Sequence, residues 1–176
     1  MSIGLDTVIR NRVADFLEVP LNTDGDFDTT GDPTFVLMGS GFLSLDENPQ
    51  AQSESRAYIS DASATSIIRG YEVTFPFTAD LIASESAVMA LYNVGRNQLQ
   101  GANAEFNYVR AELFKAPVSA NTYPARLFRV SAMIDSIEGA GTEIMEMSGA
   151  LNGVGDFVDG NFNIITREFT ATDATP

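Results

Sequence analysis

Apolar and polar residues alternate with a period of two along several stretches of the chain, which is the pattern of a strand with one face on a core. Residues 67–77 place four large apolar side chains on one face: Tyr71, Val73, Phe75 and Phe77. Residues 124–137 do the same with Phe128, Val130, Ala132 and Ile134. Residues 143–151 do so with Met145, Met147 and Leu151. Half-buried strands of this kind are typical of antiparallel sheets.

Three further segments predict strands. Residues 34–45 are apolar and β-prone, and Gly39 and Gly41 suggest a bend or bulge within them. Residues 105–114 and 161–170 are the other two.

Only one segment predicts a helix. Residues 84–95 have helical spacing of apolar positions, with Ser84 as the N-cap and Gly95 as the C-terminal stop. Residues 10–19 fit a short helix and an entry strand equally well. Six or seven strands and one helix predict a mainly β chain, an antiparallel β-sandwich or barrel with one flanking α-helix.

The length of 176 residues suits one domain spanning residues 1–176. We expect an N-terminal arm over about residues 1–33. Residues 46–66 form the longest polar stretch. A loop of that length in a compact domain is often functional or ordered by a partner, and part of it can form an extended hairpin arm.

The chain contains no cysteine, histidine or tryptophan. This composition excludes disulfides, thiolate nucleophiles, zinc fingers, iron–sulfur ligands and imidazole chemistry. Enzymes built on carboxylates, lysine or tyrosine remain possible, but we expect no enzyme, no metal and no cofactor.

Ten basic and 24 acidic residues give a net charge of −14. Scattered arginines in such a chain form no phosphate-binding stripe. No apolar run approaches the roughly 20 residues that span a bilayer.

Asp24, Asp26 and Asp28 match the first half of a calcium-binding loop. Thr29 and Phe35 stand where that loop requires Gly and Glu, so a solvated acidic loop is the favoured interpretation. A glycosidase-like carboxylate pair is a second candidate site, but its spacing is equally typical of a wetted sheet face: Glu72, Asp135, Glu143 and Glu146.

The polar faces of the predicted strands carry small and acidic side chains: Glu72, Thr74, Ser131, Asp135, Glu146 and Ser148. A monomer would leave this face in water. An oligomer could turn it inward to line a channel.

Several blocks of sequence keep a characteristic order over about residues 8–170. They are FVLMGSGFLSLDENPQAQSES, YISDASATSIIRGYEVTFPFTADLIASESAV, YPARLFRVSAMI and MEMSGALNGVGDFVDGNFN. In this order they resemble the major tail tube proteins of long-tailed, siphovirus-type bacteriophages, especially those of Gram-positive bacteria.

The resemblance implies a structural subunit of the virion tail, synthesised in the host cytoplasm. Homo-hexameric rings would stack into a hollow tube with a negatively charged lumen, through which double-stranded DNA passes without specific binding. Tape measure, tail terminator and distal tail proteins would be its partners. The loop at 46–66 would contact the neighbouring ring through Asp46, Glu47, Glu54, Arg56, Tyr58, Ile59 and Asp61.

Three alternatives stay open. The inner tube of a contractile tail or of an injection or secretion machine has the same fold. A monomeric acidic β-barrel binding protein, such as a DNA mimic, would share the charge. A carboxylate hydrolase would need two convergent acids in a pocket.

Overall fold

The computed structural model describes residues 7–60 and 62–172. Its strands are β1 (Val13–Leu21), β2 (Asp32–Leu37), β3 (Phe42–Leu45), β4 (Ala51–Arg56), β5 (Thr65–Tyr71), β6 (Thr74–Asp80), β7 (Glu105–Glu112), β8 (Thr122–Glu138), β9 (Glu146–Gly153), β10 (Val158–Asn163) and β11 (Glu168–Ala171). The α-helix is α1 (Ser86–Asn97), and Arg10–Arg12 and Gly101–Ala104 form 3-10 turns. The predicted fold class, mainly β with one helix, is confirmed. The described residues contain eleven strands rather than six or seven.

The main sheet is antiparallel and curled. Its path runs β2-β1-β7-β8-β9-β6-β3, with β10 paired to β8 and β11 paired to β10. β2 and β3 lie at opposite edges of this path, yet only residues 38–41 join them. So short a link requires the two edges to approach, and the sheet therefore closes into a half-barrel. Arg10 joins β3 to β1, the strand next to the β2 edge, because its guanidinium donates to the Leu45 carbonyl at 3.2 Å and pairs with Asp15.

The main core lies inside the curl. Phe75 packs against Tyr108 and Phe128, with ring centroids 4.7 and 5.0 Å apart. Helix α1 packs against β8 and β1 through an apolar face made of Ala87, Val88, Ala90, Leu91 and Val94. At 12 residues, α1 depends on this contact because isolated helices of that length are marginal in water. Among the described residues, no helix has the length and apolar character to cross a membrane.

A second, smaller core lies on the opposite face of the sheet. The β10–β11 hairpin bends over β1, β7 and the first half of β8. Phe162 anchors it, with ring centroids 4.6 Å from Phe16 and 5.6 Å from Phe35. Beyond this hairpin, the rest of the opposite face has no covering element within the described chain.

Helix α1 runs from Ser86 to Asn97, so the prediction of residues 84–95 was wrong by two residues at each end. The Ser86 hydroxyl donates to the Gly25 carbonyl at 3.0 Å, which ties the start of the helix to the loop after β1. Gly95 lies inside the helix, and Gln98 adopts the left-handed conformation at its end.

Three of the predicted strands are each two strands in the structure. Residues 34–45 divide at Gly39 and Gly41, where the chain turns from one sheet edge to the other. Residues 161–170 divide into the β10–β11 hairpin because residues 164–167 form a turn. Residues 67–77 divide between β5 and β6, as described below. Residues 10–19 are a 3-10 turn followed by β1, which is an internal strand of the sheet although it falls within the predicted N-terminal arm.

Candidate functional site

β3 and β6 continue without a change of register into a hairpin that leaves the barrel. Leu45 pairs with Phe77 inside the barrel, and Ala51 pairs with Tyr71 outside it. Between them run four backbone hydrogen bonds: Asp46 N to Pro76 O at 3.0 Å, Asn48 N to Thr74 O at 2.8 Å, Thr74 N to Asn48 O at 2.9 Å, and Glu72 N to Gln50 O at 3.2 Å. Residues 46–56 and 65–76 therefore form one long antiparallel ribbon. We call its protruding part, residues 51–60 and 62–71, the arm.

The arm has no core of its own. Every residue of β4 and β5 is exposed or at most half-buried, and none belongs to either hydrophobic core. Its large apolar side chains are open to solvent, with Ile68 exposed by 60% and Tyr71 by 64%. An isolated two-stranded hairpin is marginally stable in water, so the arm depends on its connection to the barrel for its position.

Alternation along the ribbon gives the arm two chemically different faces. One face continues the core side of β6 and is uncharged, and it consists of Ala51, Ser53, Ser55, Ser66, Ile68 and Tyr71. The other face carries Glu54, whose carboxylate pairs with Arg56 Nε at 2.6 Å and with Arg69. Among the described residues of β4 and β5, the charged side chains are therefore paired with each other on one side, and the opposite side carries no charge.

The seven residues predicted to contact a neighbouring ring lie in different places. Glu54 and Arg56 are on β4, Tyr58 and Ile59 lie in the exposed connection after it, and Asp61 falls outside the described residues. Asp46 is exposed on the ribbon before the arm. Glu47, by contrast, points into the barrel.

Glu47 belongs to a cluster of charged side chains that fills one end of the barrel. Its carboxylate accepts two hydrogen bonds from Arg126, at 2.8 and 2.9 Å, and lies 3.3 Å from Arg110 Nε. Arg110 Nη1 lies 3.5 Å from Asp15, which also accepts a hydrogen bond from the buried Tyr108 hydroxyl. Arg110 and Arg126 thus pair with two carboxylates largely out of water, and the more exposed Arg10 adds a third arginine on Asp15.

Two pKa values in this cluster reflect their surroundings. Burial, reinforced by the negative charge of Asp15, raises the pKa of Tyr108 well above its ordinary value. Burial alone would lower the pKa of Arg110, but Asp15, Tyr108 and Glu47 outweigh it and raise that pKa. Both groups therefore keep their protons at physiological pH.

The uncovered part of the opposite sheet face spans β6, β9 and the second half of β8. We call it the bare face, and it contains Thr74, Pro76, Thr78, Asp80, Ser131, Met133, Ser136, Glu138, Glu146, Ser148, Ala150 and Asn152. These side chains alternate with core residues such as Phe75, Phe77, Met147 and Leu151. These strand segments contain no lysine or arginine.

Four of the six predicted channel-lining residues share the bare face. Thr74 and Ser131 both lie opposite Asn152, and Ser148 and Ser136 are joined by a hydroxyl–hydroxyl hydrogen bond of 2.8 Å. Asp135 is the extra residue of a bulge in β8, and it is exposed. Glu72 lies on the ribbon, on the same side as Thr74, and accepts a hydrogen bond from Gln52 at 3.3 Å.

Two acidic residues of the bare face were missed by sequence reasoning. Asp80 pairs in register with Glu146, which pairs in turn with Glu138, so three carboxylates stand side by side across three strands. Both residues continue the alternation of polar and apolar positions along their strands, but the predicted strands 67–77 and 124–137 ended before Asp80 and Glu138.

The acidic loop after β1 is a set of turns. Asn22 Oδ1 accepts hydrogen bonds from the backbone of Asp24 and Asp26, both at 3.0 Å. The Asp28 carboxylate accepts hydrogen bonds from the Thr30 amide and hydroxyl, which lower the pKa of Asp28. In the part of the chain that the structure describes, no group of three or more acidic side chains could hold a metal ion.

No protein-family model matches the chain, and neither does any curated protein sequence. Among solved structures, it is similar to a chain in the cryo-EM structure of the anti-feeding prophage baseplate, 6-fold symmetrised. The identity is 10%, the TM-score is 0.45, and the match covers 90% of this chain and 97% of that one. So distant a likeness assigns no role to this chain.

Proposed function

We propose that the chain is the structural subunit of a phage tail tube, assembled as hexameric rings that stack around a hollow bore. The observation that carries the proposal is the bare face, a sheet surface with three neighbouring carboxylates and no positive charge. Directly opposed like charges destabilise an isolated sheet, so the arrangement serves something other than the stability of the subunit.

A channel through which DNA passes must not bind the DNA tightly. Duplex DNA carries about one negative charge per 1.7 Å of axis, and a basic lining would capture its phosphates by counterion release. An acidic lining repels DNA within a Debye length of about 8 Å at physiological salt. If the bare face is turned inward, its carboxylates give the bore this acidic lining.

The features of the arm are the reason for proposing that rings stack through it. It projects beyond the barrel, its described apolar side chains are exposed, and the charges on its two strands are paired on one side. A net charge of −14 makes copies of this chain repel one another. The uncharged face of the arm is a surface through which another copy can approach without opposing charges, so we propose that it contacts the next ring.

In this role the chain is a virion tail protein without enzymatic activity. Its further partners are the tape measure protein inside the tube and the proteins at the two tube ends. The inner tube of a contractile tail or injection machine would use the same subunit architecture, and a sheath around the tube identifies that case.

Electron microscopy of the purified chain tests the proposal. We expect hollow rings and tubes. A matched control replaces residues 52–70 with Asn-Gly, a two-residue turn that joins Ala51 to Tyr71 where they already pair. Because the arm contributes nothing to either core, this variant should fold normally and form no stacked tubes. A single species of 18.9 kDa at every concentration would refute the proposal and favour a monomeric acidic barrel.

A further inference from the structure

The arm leaves the barrel at a defined point, and one side chain stands at that point. Leu45, two residues before Glu47 on the same face of the ribbon, is buried in the main core. Ala51, four residues after Glu47 on that face, is exposed. Between β3 and β4, Glu47 is therefore the last core-side residue that the barrel holds.

The partner of Glu47 is itself held in a fixed orientation. The Arg126 guanidinium lies over the adjoining rings of Phe128 and Phe157, 5.2 and 5.5 Å from their centroids, which are 5.4 Å from each other. Contact with both rings on one side restricts the guanidinium, and its two terminal nitrogens present a planar fork to Glu47. Arg110, locked by Asp15, contacts the same carboxylate from the neighbouring strand.

The stability of the folded chain alone does not explain the buried ion pair between Glu47 and Arg126. Both terminal nitrogens of Arg126 donate to Glu47, whereas Arg126 Nε is buried without a hydrogen-bond partner among the described residues. Largely buried ion pairs are often no more stabilising than apolar residues of similar volume, and a fixed geometry is what they can supply.

We propose that the Glu47–Arg126 pair, braced by Arg110, is the clamp that fixes the direction in which the arm leaves the barrel. The arm is a ribbon without lateral support, so a small change of angle at Glu47 becomes a large displacement at its tip. The clamp thereby determines which surface of a second copy the arm reaches. This last consequence rests on the proposed function, whereas the clamp itself does not.

Distance measurements between spin labels test the clamp on isolated subunits. The chain has no cysteine, so Ser53→Cys on the arm and Ala102→Cys on the barrel give one unique labelled pair, both at exposed positions. In the parent protein we expect one narrow distance distribution. In Glu47→Gln, we expect the ratio of released to held arms to rise about tenfold or more. Arg126→Lys, which keeps the charge and loses the fork, should lie between the two.

Glu54→Gln is the matched control, because it removes the two ion pairs of the arm itself and should leave the distribution narrow. If Glu47→Gln fails to fold, the double variant Glu47→Gln/Arg126→Gln leaves neither of these two charges unpaired and should show the released arm. An unchanged distribution in Glu47→Gln or in the double variant overturns the clamp. Absence of tubes from the parent protein would refute the proposed function and leave the distance result standing. Normal tubes from a variant with a released arm would overturn the role of the clamp in assembly.

Discussion

Asp80 and Glu146 lie directly opposite each other on neighbouring strands of the bare face, and no cation accompanies them within those strands. Glu138 flanks Glu146 on the other side. In the isolated subunit, this row of like charges opposes folding. The row therefore lowers the stability of the isolated subunit, and we attribute its presence to the role of the bare face in the assembly.

Neutralising the centre of the row should stabilise the subunit. We expect Glu146→Gln to raise the free energy of unfolding by about 0.2–1 kcal/mol at low salt, since two unfavourable cross-strand pairs are relieved. Added salt should shrink the difference, because it screens exposed charges. Chemical denaturation at two salt concentrations measures both effects. The control is Glu143→Gln, which removes an exposed carboxylate outside the ladder. Equal effects of the two variants would show that the row is not strained.

Reversing the charge of Glu146 on the bare face and of Glu72 on the adjoining ribbon should slow DNA release without preventing assembly. Glu72→Lys and Glu146→Lys together would place attractive charges in the bore, and phosphates bind such charges through counterion release. We expect particles built with this variant to have tails of normal appearance and to release DNA more slowly, most visibly at low salt. Release kinetics followed with a DNA-binding dye measure this. Release at the normal rate from intact tails would place these residues outside the bore.

The buried phenol of Tyr108 should make stability depend on alkaline pH. Its pKa is raised above the ordinary value of 10.0 in the folded chain, so the folded state keeps a proton that the unfolded state releases near that pH. The stabilising contribution is therefore complete below pH 10 and is lost as pH rises above it. Tyr108→Phe should cost about 1–3 kcal/mol at neutral pH, because Asp15 loses a buried donor, and should weaken the decline above pH 10.

Denaturation curves at several pH values test this, together with the absorbance of tyrosinate. Tyr123→Phe is the control, since Tyr123 is only half-buried at the start of β8. A parallel loss of stability in the parent and in Tyr108→Phe above pH 10 would contradict the assignment.

Gly95 lets helix α1 approach the sheet. A Cβ at this position would lie 2.8 Å from Ile134 Cγ2 and 3.0 Å from Ile134 Cβ, so the helix would have to move away from β8. Overpacking of this kind costs about 1–3 kcal/mol, whereas replacing a helical glycine with alanine gains about 1 kcal/mol. We expect Gly95→Ala to lower the melting temperature. Gly141→Ala, where a Cβ meets nothing within 4 Å, should leave it unchanged. A stabilised Gly95→Ala would mean that α1 does not rest on Ile134.

Period-two alternation predicted the part of the site that local sequence can specify. Thr74, Ser131, Glu146 and Ser148 were placed on one polar face because each alternates with core residues of its own strand, and the register brings the strands together. Tyr71, Val73, Phe75 and Phe77 do share one face of the ribbon. The alternation could not reveal that the barrel ends beneath Val73 and leaves Tyr71 exposed, because that depends on strands distant in the sequence.

The charged cluster lay beyond sequence reasoning for the same reason. Glu47 and Arg126 are 79 positions apart, and within residues 46–66 Glu47 is one acidic residue among several polar neighbours. Arg110 and Arg126 did carry a signal, because each interrupts a run of apolar residues in its strand. That signal indicates a buried charge but does not identify its partner.

A cryo-EM reconstruction of the assembled chain tests the central claim most directly. We expect a hollow sixfold tube in which Thr78, Glu146 and Ser136 face the bore and the arm crosses to the adjacent ring. A closed monomer, or a ring with α1 toward the axis and the bare face outside, would contradict it.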